Sequence, residues 1–225
     1  MNKNVCYTCI FGNYEKIKDP KYISLNFDYI CFTDNENLKS EKWKIIYVNN
    51  LNNIELKKRN RCLKILAHTI LSNYEYSIYI DGSLQILDDL NIIKDNICKE
   101  HKLYTFKHPD RNCSYQEFFG CLYYKKDDPK RMYEQLLKYF SEGFPFNYGL
   151  AETCILCRYH NDNECKDIMN IWWNEINNHS NRDQLSLYYS LWKTNNKDYI
   201  HLFNDNEMKY IIKCFDYYNR YNHKL

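Results

Sequence analysis

The sequence predicts a single α/β domain in which a mixed central sheet is flanked by helices. Short runs rich in β-branched and aromatic residues alternate with longer segments of helical period, and this alternation is typical of α/β folds. The chain has 225 residues, a length that suits one domain with a full core. No linker, low-complexity tract or internal repeat divides it. We therefore expect one domain over 1–225.

Four strands are predicted in the N-terminal part of the chain. Each is an apolar run that ends in polar or glycine-containing residues, which is the usual punctuation of strands. A fifth apparent strand, 103–106, follows later. The four runs are 5–11, 29–33, 44–48 and 77–80.

A long amphipathic helix is predicted over 56–71. Leucines such as Leu63 and Leu66 fall on one side of it, and the basic residues Arg61 and Lys64 fall on another. The simplest interpretation of such a pattern is a helix with a buried apolar face and a solvated charged face.

A second helix is predicted from its end signals. Asp128 suits the N-cap, Pro129 suits the first turn, and Gly143 follows the last apolar residues. Further segments of helical period are 165–176, 185–192 and 208–218.

Charge and apolar runs exclude several classes of protein. The 31 basic and 29 acidic side chains give a net charge of only +2, too little to hold nucleic acid or an anionic membrane by a general field. The N-terminus lacks a leader pattern, and no apolar run approaches the ~18 residues of a membrane span. We expect a cytoplasmic protein with no transmembrane segment and no nucleic-acid partner.

The cysteines suit a reducing compartment, because the eleven are an odd number without the spacing of a small disulfide scaffold. Cys6 and Cys9, like Cys154 and Cys157, have C-x-x-C spacing, which also occurs in zinc sites. Residues three apart in a strand project to opposite faces, so we expect buried free thiols instead of zinc ligands. His160 stands alone and is expected to be structural or solvated.

Polar and glycine residues follow three of the predicted strands. Ligands of α/β sheets bind beyond the carboxyl ends of the strands, so these positions are the first candidates for a site. Only five glycines occur in the chain, and Gly12 and Gly82 are at two of these ends. The alternative is that both glycines simply form turns. The residues concerned are Gly12 and Tyr14, Thr33 and Asp34, and Asp81, Gly82 and Ser83.

The motif Asp81-Gly82-Ser83 is the most informative of these. A carboxylate at the end of a buried strand can hold a divalent cation that bridges two phosphates, or accept a hydrogen bond from ribose. An Asp after a strand is also a common turn residue.

Five motifs in one order resemble the glycosyltransferase-like domain family that includes plant turgor-regulation and seed-mucilage proteins, formerly a domain of unknown function. That family is similar to the GT-A nucleotide-sugar transferases. The motifs run over nearly the whole chain, from about residue 5 to about residue 193. They are YTCIFGNY at 7–14, YICFTD at 29–34, YIDGS at 79–83, HPDRNCSYQE at 108–117 and RDQLS at 182–186.

The resemblance implies a GT-A, Rossmann-like fold and a glycosyltransferase that moves a sugar from a nucleotide-diphosphate donor, UDP-linked, to an acceptor hydroxyl of a glycan. The donor half covers about 1–100 and the acceptor half about 101–225. GT-A enzymes carry D-x-D where this chain has D-G-S, so Ser83 replaces the second acid and Mn²⁺ or Mg²⁺ at Asp81 is expected to bind weakly. A non-catalytic nucleotide-sugar or glycan-binding module remains the alternative.

On the donor side, Asp34 is expected to hydrogen-bond the base and Tyr14 to stack on it. Arg59 and Arg61 are expected to bind the diphosphate, where guanidinium groups engage oxygens in pairs. The alternatives are a surface turn for Asp34 and solvated helix positions for the arginines. The remaining expected donor contacts are Phe11, Gly12, Thr33, Gly82 and Ser83.

On the acceptor side, the polar loop of His108, Asp110 and Arg111 is expected to bind the sugar or assist the leaving phosphate. Either Glu152 or Asp183 is expected to act as general base.

Gln184 would bind sugar hydroxyls beside Asp183. Ser180 and Asp183 also match the S-x-x-D capping box, so a structural role for Asp183 competes with the catalytic one.

Overall fold

The computed structural model describes residues 3–217, and its centre is a seven-stranded sheet of order β3-β2-β1-β4-β6-β5-β7. The strands alternate with helices along the chain, as the apolar pattern predicts. They are β1 Asn4–Ile10, β2 Phe27–Thr33, β3 Lys44–Tyr47, β4 Tyr76–Ile80, β5 Leu103–Lys107, β6 Ala151–Arg158 and β7 Ile200–Leu202.

Helices cover both faces of this sheet, so the prediction of a mixed sheet between helical layers is confirmed. They are α1 Leu56–Ile65, α2 Ala67–Ile70, α3 Asn91–Asn96, α4 Ser114–Tyr123, α5 Pro129–Ser141, α6 Asn163–Asn178, α7 Leu187–Lys193 and α8 Asp205–Cys214, with 3-10 turns at Asp183–Leu185 and Lys197–Tyr199. None of the helices within residues 3–217 is long and apolar enough to cross a membrane.

Strand directions decide where the candidate residues meet. β1 is parallel to β2 and β4, and β2 is parallel to β3. β6 is antiparallel to both of its neighbours, β4 and β5. The carboxyl ends of β1, β2 and β4 therefore share one edge of the sheet with the amino end of β6, which begins at Ala151.

Two apolar clusters fill the space on either side of the sheet. The first includes Tyr7 and the fully buried Trp172 of α6. The second includes Ile78 and Phe215. Side chains of one strand alternate between the clusters, so the neighbours Cys6 and Tyr7 lie on opposite faces of β1.

Helix boundaries show where local signals were sufficient. Asp128 Oδ1 accepts a hydrogen bond from the Arg131 amide (3.0 Å) with Pro129 in the first turn, as predicted. The helix predicted over 56–71 is interrupted at Leu66, whose ψ of 41° ends α1 before α2 begins. The predicted end of the last helix, residue 218, lies outside the described residues.

The C-x-x-C pairs differ from each other. Cys6 and Cys9 lie in different clusters, on opposite faces of β1, as predicted. The opposite-face argument was wrong for Cys154 and Cys157, which both lie in the second cluster. The pairing of β5 with β6 shifts register between Tyr104 and Phe106, so strict alternation fails in β6. The prediction of buried thiols is confirmed, because all eleven cysteines lie within the described residues and are buried outside any disulfide bond.

Candidate active site

The loop after β1 meets the end of β2 through Gly12 and Asp34. The Gly12 amide donates a hydrogen bond to Asp34 Oδ1 (2.9 Å), and Arg59 Nη1 of α1 lies 3.8 Å from Asp34 Oδ2. Gly12 has a φ of +66°, a backbone conformation that residues with a Cβ rarely adopt. The structure thus brings together three residues that the sequence assigned to donor binding.

A cleft of about 310 Å³ opens beside this contact, lined in part by Thr33 and Glu15. Tyr14, which precedes Glu15, is 85% exposed. Phe11 is buried in the first apolar cluster, so its side chain belongs to the core. Thr33 and Glu15 are therefore at the cleft, whereas the side chain of Phe11 does not line it.

Asp81 stands at the end of β4 with its side chain 39% exposed. Its Oδ1 accepts a hydrogen bond from the Tyr79 hydroxyl (2.9 Å) and lies 3.8 Å from Lys64 Nζ. A Cβ on the next residue, Gly82, would clash with Glu15 Oε2 and would lie 3.1 Å from Ile10 Cγ1. A larger residue at this position would therefore displace the end of the Glu15 side chain, and glycine leaves room for that carboxylate at the end of β4.

Glu15 is an acid at this edge that the sequence analysis did not single out. Burial and the Asp81 carboxylate raise the pKa of Glu15 to about 7, although Arg61 and Lys18 act in the opposite direction. Glu15 directly follows Tyr14, the last residue of the 7–14 motif, and this position is the sequence signal that could have identified it.

A divalent cation fits this place only with help from a phosphate ligand. Asp81 and Glu15 bring two carboxylates to the end of β4, where Ser83 replaces an acid. Within residues 3–217, no group of three or more His, Cys, Asp or Glu side chains could hold a metal ion. Mg²⁺ and Mn²⁺ commonly take one or two carboxylates and complete their shells with phosphate oxygens and water. The donor set therefore fits a weakly bound cation.

Asp183 is a further carboxylate of the site and is buried. Lys64 Nζ donates a hydrogen bond to Asp183 Oδ2 (2.6 Å), and Thr153 Oγ1 donates to the same oxygen (2.9 Å). Burial alone raises the pKa of Asp183, but the charges of Lys64, Arg61 and Arg182 outweigh it and hold this pKa well below its usual range. Asp183 is therefore ionised in the folded protein.

The turn that carries Asp183 is not a capping box. Asp183–Leu185 is a 3-10 turn, and Asp183 Oδ1 accepts a hydrogen bond from the adjacent Gln184 amide (3.0 Å). Ser180 Oγ donates instead to Asp127 Oδ2 (2.7 Å). The capping alternative was wrong because both of its side chains have other partners.

Glu152 projects away from Asp183. It is next to Thr153 in β6, but the partners of the two side chains lie on opposite sides of the sheet: Tyr217 packs against the second apolar cluster, and Leu185 of the Asp183 turn lies in the first. Thr153 reaches Asp183, whereas Glu152 Oε2 accepts a hydrogen bond from the Tyr217 hydroxyl (3.2 Å). Of the two candidate bases, the structure brings Asp183 into the Lys64 and Asp81 group.

The two arginines of α1 differ in their surroundings. Arg59 Nε donates to the Ile54 carbonyl (3.1 Å) in addition to facing Asp34. Arg61 Nη1 donates to Asn60 Oδ1 (2.7 Å), and its charge acts on both Glu15 and Asp183. Arg61 is therefore near the carboxylates, and Arg59 is near the end of β2.

The predicted acceptor loop is organised by another acid that the sequence analysis missed. His108 Nδ1 accepts hydrogen bonds from the amides of Asp110 (3.2 Å) and Arg111 (3.1 Å). Buried Glu117 of α4 lies 2.8 Å from Arg111 Nη1 and 3.5 Å from His108 Nε2. Asp110 is exposed, and Gln184 Oε1 accepts a hydrogen bond from Arg182 Nη2 (3.1 Å).

Comparison with known proteins agrees with this architecture. The family model of the TOD1/MUCI70 glycosyltransferase-like domain matches residues 1–217. A curated relative, the probable hexosyltransferase MUCI70 of Arabidopsis thaliana, is 24% identical over 213 residues, which cover 81% of this chain and 36% of the relative. The chain thus spans about a third of that protein's length.

Among solved structures, the apo bifunctional glycosyltransferase WbbM is similar with a TM-score of 0.50 and 12% identity, over 94% of this chain and 44% of that chain. The galactosyltransferase LgtC, in complex with donor and acceptor sugar analogues, gives a TM-score of 0.47 and 10% identity over 89% and 73% of the two chains. The likeness to WbbM concerns the fold alone. By its family match and its fold, this chain belongs to the TOD1/MUCI70 glycosyltransferase-like domain family and has the GT-A fold.

Proposed function

We propose that this domain transfers a hexose from a UDP-linked donor to a hydroxyl group of a glycan acceptor. The observation that carries the proposal is the convergence of Asp34, Asp81 and Asp183 with Arg61 and Lys64 at the carboxyl edge of the sheet. Nucleotides bind at this edge in α/β folds. The similarity to the probable hexosyltransferase MUCI70 of Arabidopsis supports the hexosyl group.

The donor lies along the ends of β1, β2 and β4 in this proposal. Asp34, whose Oδ1 is oriented by the Gly12 amide, accepts a hydrogen bond from the uracil ring through its other oxygen. Tyr14 is exposed enough to cover the base. Arg59 and Arg61 bind diphosphate oxygens, since guanidinium groups match them in geometry and charge.

Asp81 and Glu15 would hold a divalent cation once the donor phosphates are present, and the chemistry supplied there would be neutralisation of charge on the leaving diphosphate. Lys18 donates to the Ser83 carbonyl (2.6 Å) and so helps to fix the end of the D-G-S segment. The residues of the chain thus orient the diphosphate from two sides.

Asp183 acts in this proposal through its negative charge. A carboxylate with so low a pKa accepts protons poorly near pH 7, so a general-base role does not suit it. A fixed negative charge instead stabilises the positive charge that develops on the sugar ring as the donor bond breaks. On the acceptor side, the side-chain amide of Gln184 and the loop of His108, Asp110 and Arg111 bind sugar hydroxyls.

A non-catalytic nucleotide-sugar or glycan-binding module is the second candidate. The observation in its favour is that hydrogen bonds from Lys64, Thr153 and the Gln184 amide engage both oxygens of Asp183. Such a module binds the donor and leaves it intact.

The test is release of UDP from a panel of UDP-hexoses, measured with Mn²⁺ and with oligosaccharide acceptors. We expect at least one donor to be consumed in an acceptor-dependent manner. The Asp81→Asn variant, with its fold verified by circular dichroism, is expected to lose this activity. UDP binding without consumption of any donor would favour the binding module.

A further inference from the structure

We propose that Lys64 is a positioning residue of the transfer reaction, a built-in cation that holds the carboxylates of Asp81 and Asp183 in one fixed arrangement. This inference rests on the proposed function and deepens it. The charge is part of the chain and therefore stays in the site whether or not a divalent cation is bound.

The first argument is the contacts of the Lys64 ammonium group. Its Nζ lies 2.6 Å from Asp183 Oδ2, 3.1 Å from Thr153 Oγ1 and 3.8 Å from Asp81 Oδ1. The same ammonium group is thus within ion-pair distance of both carboxylates. One cation therefore links the acid assigned to the donor phosphates with the acid assigned to the sugar ring.

Tyr79 completes this arrangement. Its ring lies under the ammonium group, 5.0 Å from Nζ to the ring centre, and its hydroxyl donates to Asp81 Oδ1 (2.9 Å). A cation over an aromatic face is stabilised by the ring quadrupole. The same side chain thus supports both Lys64 and Asp81.

The second argument is the way the main chain of Lys64 is held. Its carbonyl accepts hydrogen bonds from the Tyr7 hydroxyl (2.6 Å) and from the Arg158 guanidinium group. Arg158 is itself fully buried, and its Nη1 contacts Met169 Sδ (3.0 Å). A residue clamped in this way loses little entropy when substrate binds, which is the benefit of a pre-organised site.

The location of Lys64 at the end of α1 also favours its charge. Lys64 is in the last turn of the helix Leu56–Ile65, and the C-terminal end of a helix dipole stabilises a cation. Two acids, a helix end and an aromatic ring therefore all interact favourably with this nearly buried ammonium group.

The third argument separates function from stability. A buried ion pair contributes little net stability, because apolar residues of the same volume often replace it without loss. A purely structural role would need only the Lys64–Asp183 pair. Lys64 also faces Asp81, which is 39% exposed at the end of β4. The arrangement is thus open to substrate on the Asp81 side.

Lys58 provides a matched control. It is a buried lysine of the same helix, and its Nζ donates to the carbonyls of Asn177 (2.9 Å) and His179 (3.0 Å) at the end of α6. Lys58→Met removes a comparable ammonium group that contacts main-chain atoms away from the site.

The experiment compares Lys64→Met, Lys64→Arg and Lys58→Met for melting temperature, UDP affinity and the kinetics of UDP release from the UDP-hexose that the wild type consumes. For Lys64→Met we expect kcat to fall about a hundredfold or more, with the KM for the donor changed much less. Lys64→Arg keeps the charge and should recover at least tenfold of that loss. Lys58→Met should lower the melting temperature and leave kcat within about threefold of wild type.

Lys64→Met leaves Asp183 buried without its cation, a change that is strongly destabilising and can prevent folding. The double variant Lys64→Met with Asp183→Asn removes both charges and should melt close to the wild type while kcat stays low. A kcat within about threefold of wild type in folded Lys64→Met or in the double variant would overturn this inference and leave the proposed function standing. Failure of the wild type to consume any donor would overturn the proposed function and this inference with it.

Discussion

The indole Nε1 of Trp172 donates a hydrogen bond to the main-chain carbonyl of Asp183 at 2.9 Å. Trp172 is fully buried in α6, so this bond joins the 3-10 turn that carries the candidate carboxylate to the rigid core of the domain. Asp183 is therefore held at its backbone by Trp172 and at its side chain by Lys64, Thr153 and the main-chain amide of Gln184.

Trp172→Phe removes the indole donor and part of the buried ring. We expect the free energy of unfolding to fall by about 2–4 kcal/mol, because a buried hydrogen bond and apolar volume are lost together. Urea denaturation measures this change. Trp173→Phe, on the next residue of α6 and only partly buried, is the control and should cost less than about 1 kcal/mol. Equal losses in the two variants would show that the Trp172 contact has little effect on the turn.

Asp81→Ala tests the phosphate end of the donor site. The variant should keep its fold and lose about 2 kcal/mol or more of UDP binding energy in the presence of Mn²⁺, the scale expected for lost charged hydrogen bonds. Isothermal titration calorimetry gives the affinity. Unchanged UDP affinity would remove Asp81 from the site. Because Ser83 replaces an acid, we also expect Mn²⁺ to be lost readily to a chelator, and tight retention would contradict that expectation.

Asp34→Ala tests the choice of base. Asp34 is held by the Gly12 amide at the end of β2, and its Oδ2, 3.8 Å from Arg59 Nη1, can accept a hydrogen bond from uracil. The wild type should prefer UDP to GDP, and the variant should lose most of that preference. Competition between the two nucleotides for the protein, followed by fluorescence, reports the ratio. A preference that survives in Asp34→Ala would place base recognition elsewhere.

His160 makes stability depend on pH. Its Nδ1 lies 3.0 Å from Ser77 Oγ and its Nε2 lies 2.9 Å from the Leu71 carbonyl, and burial lowers its pKa to about 4. The ordinary value is about 6.5, so between these two values the unfolded chain binds a proton that the folded protein does not. The stability contributed by neutral His160 is therefore complete above about pH 6.5 and decreases as the pH falls toward about 4.

The corresponding measurement is urea denaturation at pH 7.5 and pH 5.0. Protonation linked to this residue should lower the free energy of unfolding of the wild type by about 2 kcal/mol from pH 7.5 to pH 5.0. His160→Gln lacks the titrating group and should lose less over the same interval, although it starts from a lower stability. The same loss in both proteins would assign the pH dependence to other groups.

The fold was predictable because its signals are local. Apolar runs ended by Gly12, Asp34 and Asp81 identified three strands, and the rule that ligands bind at carboxyl ends placed these residues at one edge. Asp128 and Pro129 likewise predicted the start of α5. These residues are adjacent in sequence to the elements that they define.

Lys64 and Thr153 were not predictable in the same way. Lys64 is 119 residues from Asp183 and 89 from Thr153, and its position on the polar side of a helix indicated a solvated residue. Neither Gly nor Pro marks the break at Leu66 that ends α1. The packing of α1 against the sheet, which turns this lysine toward the acids, is a tertiary effect with no local signal.

The most direct test of the account is calorimetric titration of the unmodified protein with UDP and with GDP, each with and without Mn²⁺. We predict that UDP binds, that Mn²⁺ strengthens its binding, and that GDP binds more weakly under the same conditions. Binding of neither nucleotide would contradict the assignment of this edge of the sheet as a nucleotide-sugar site.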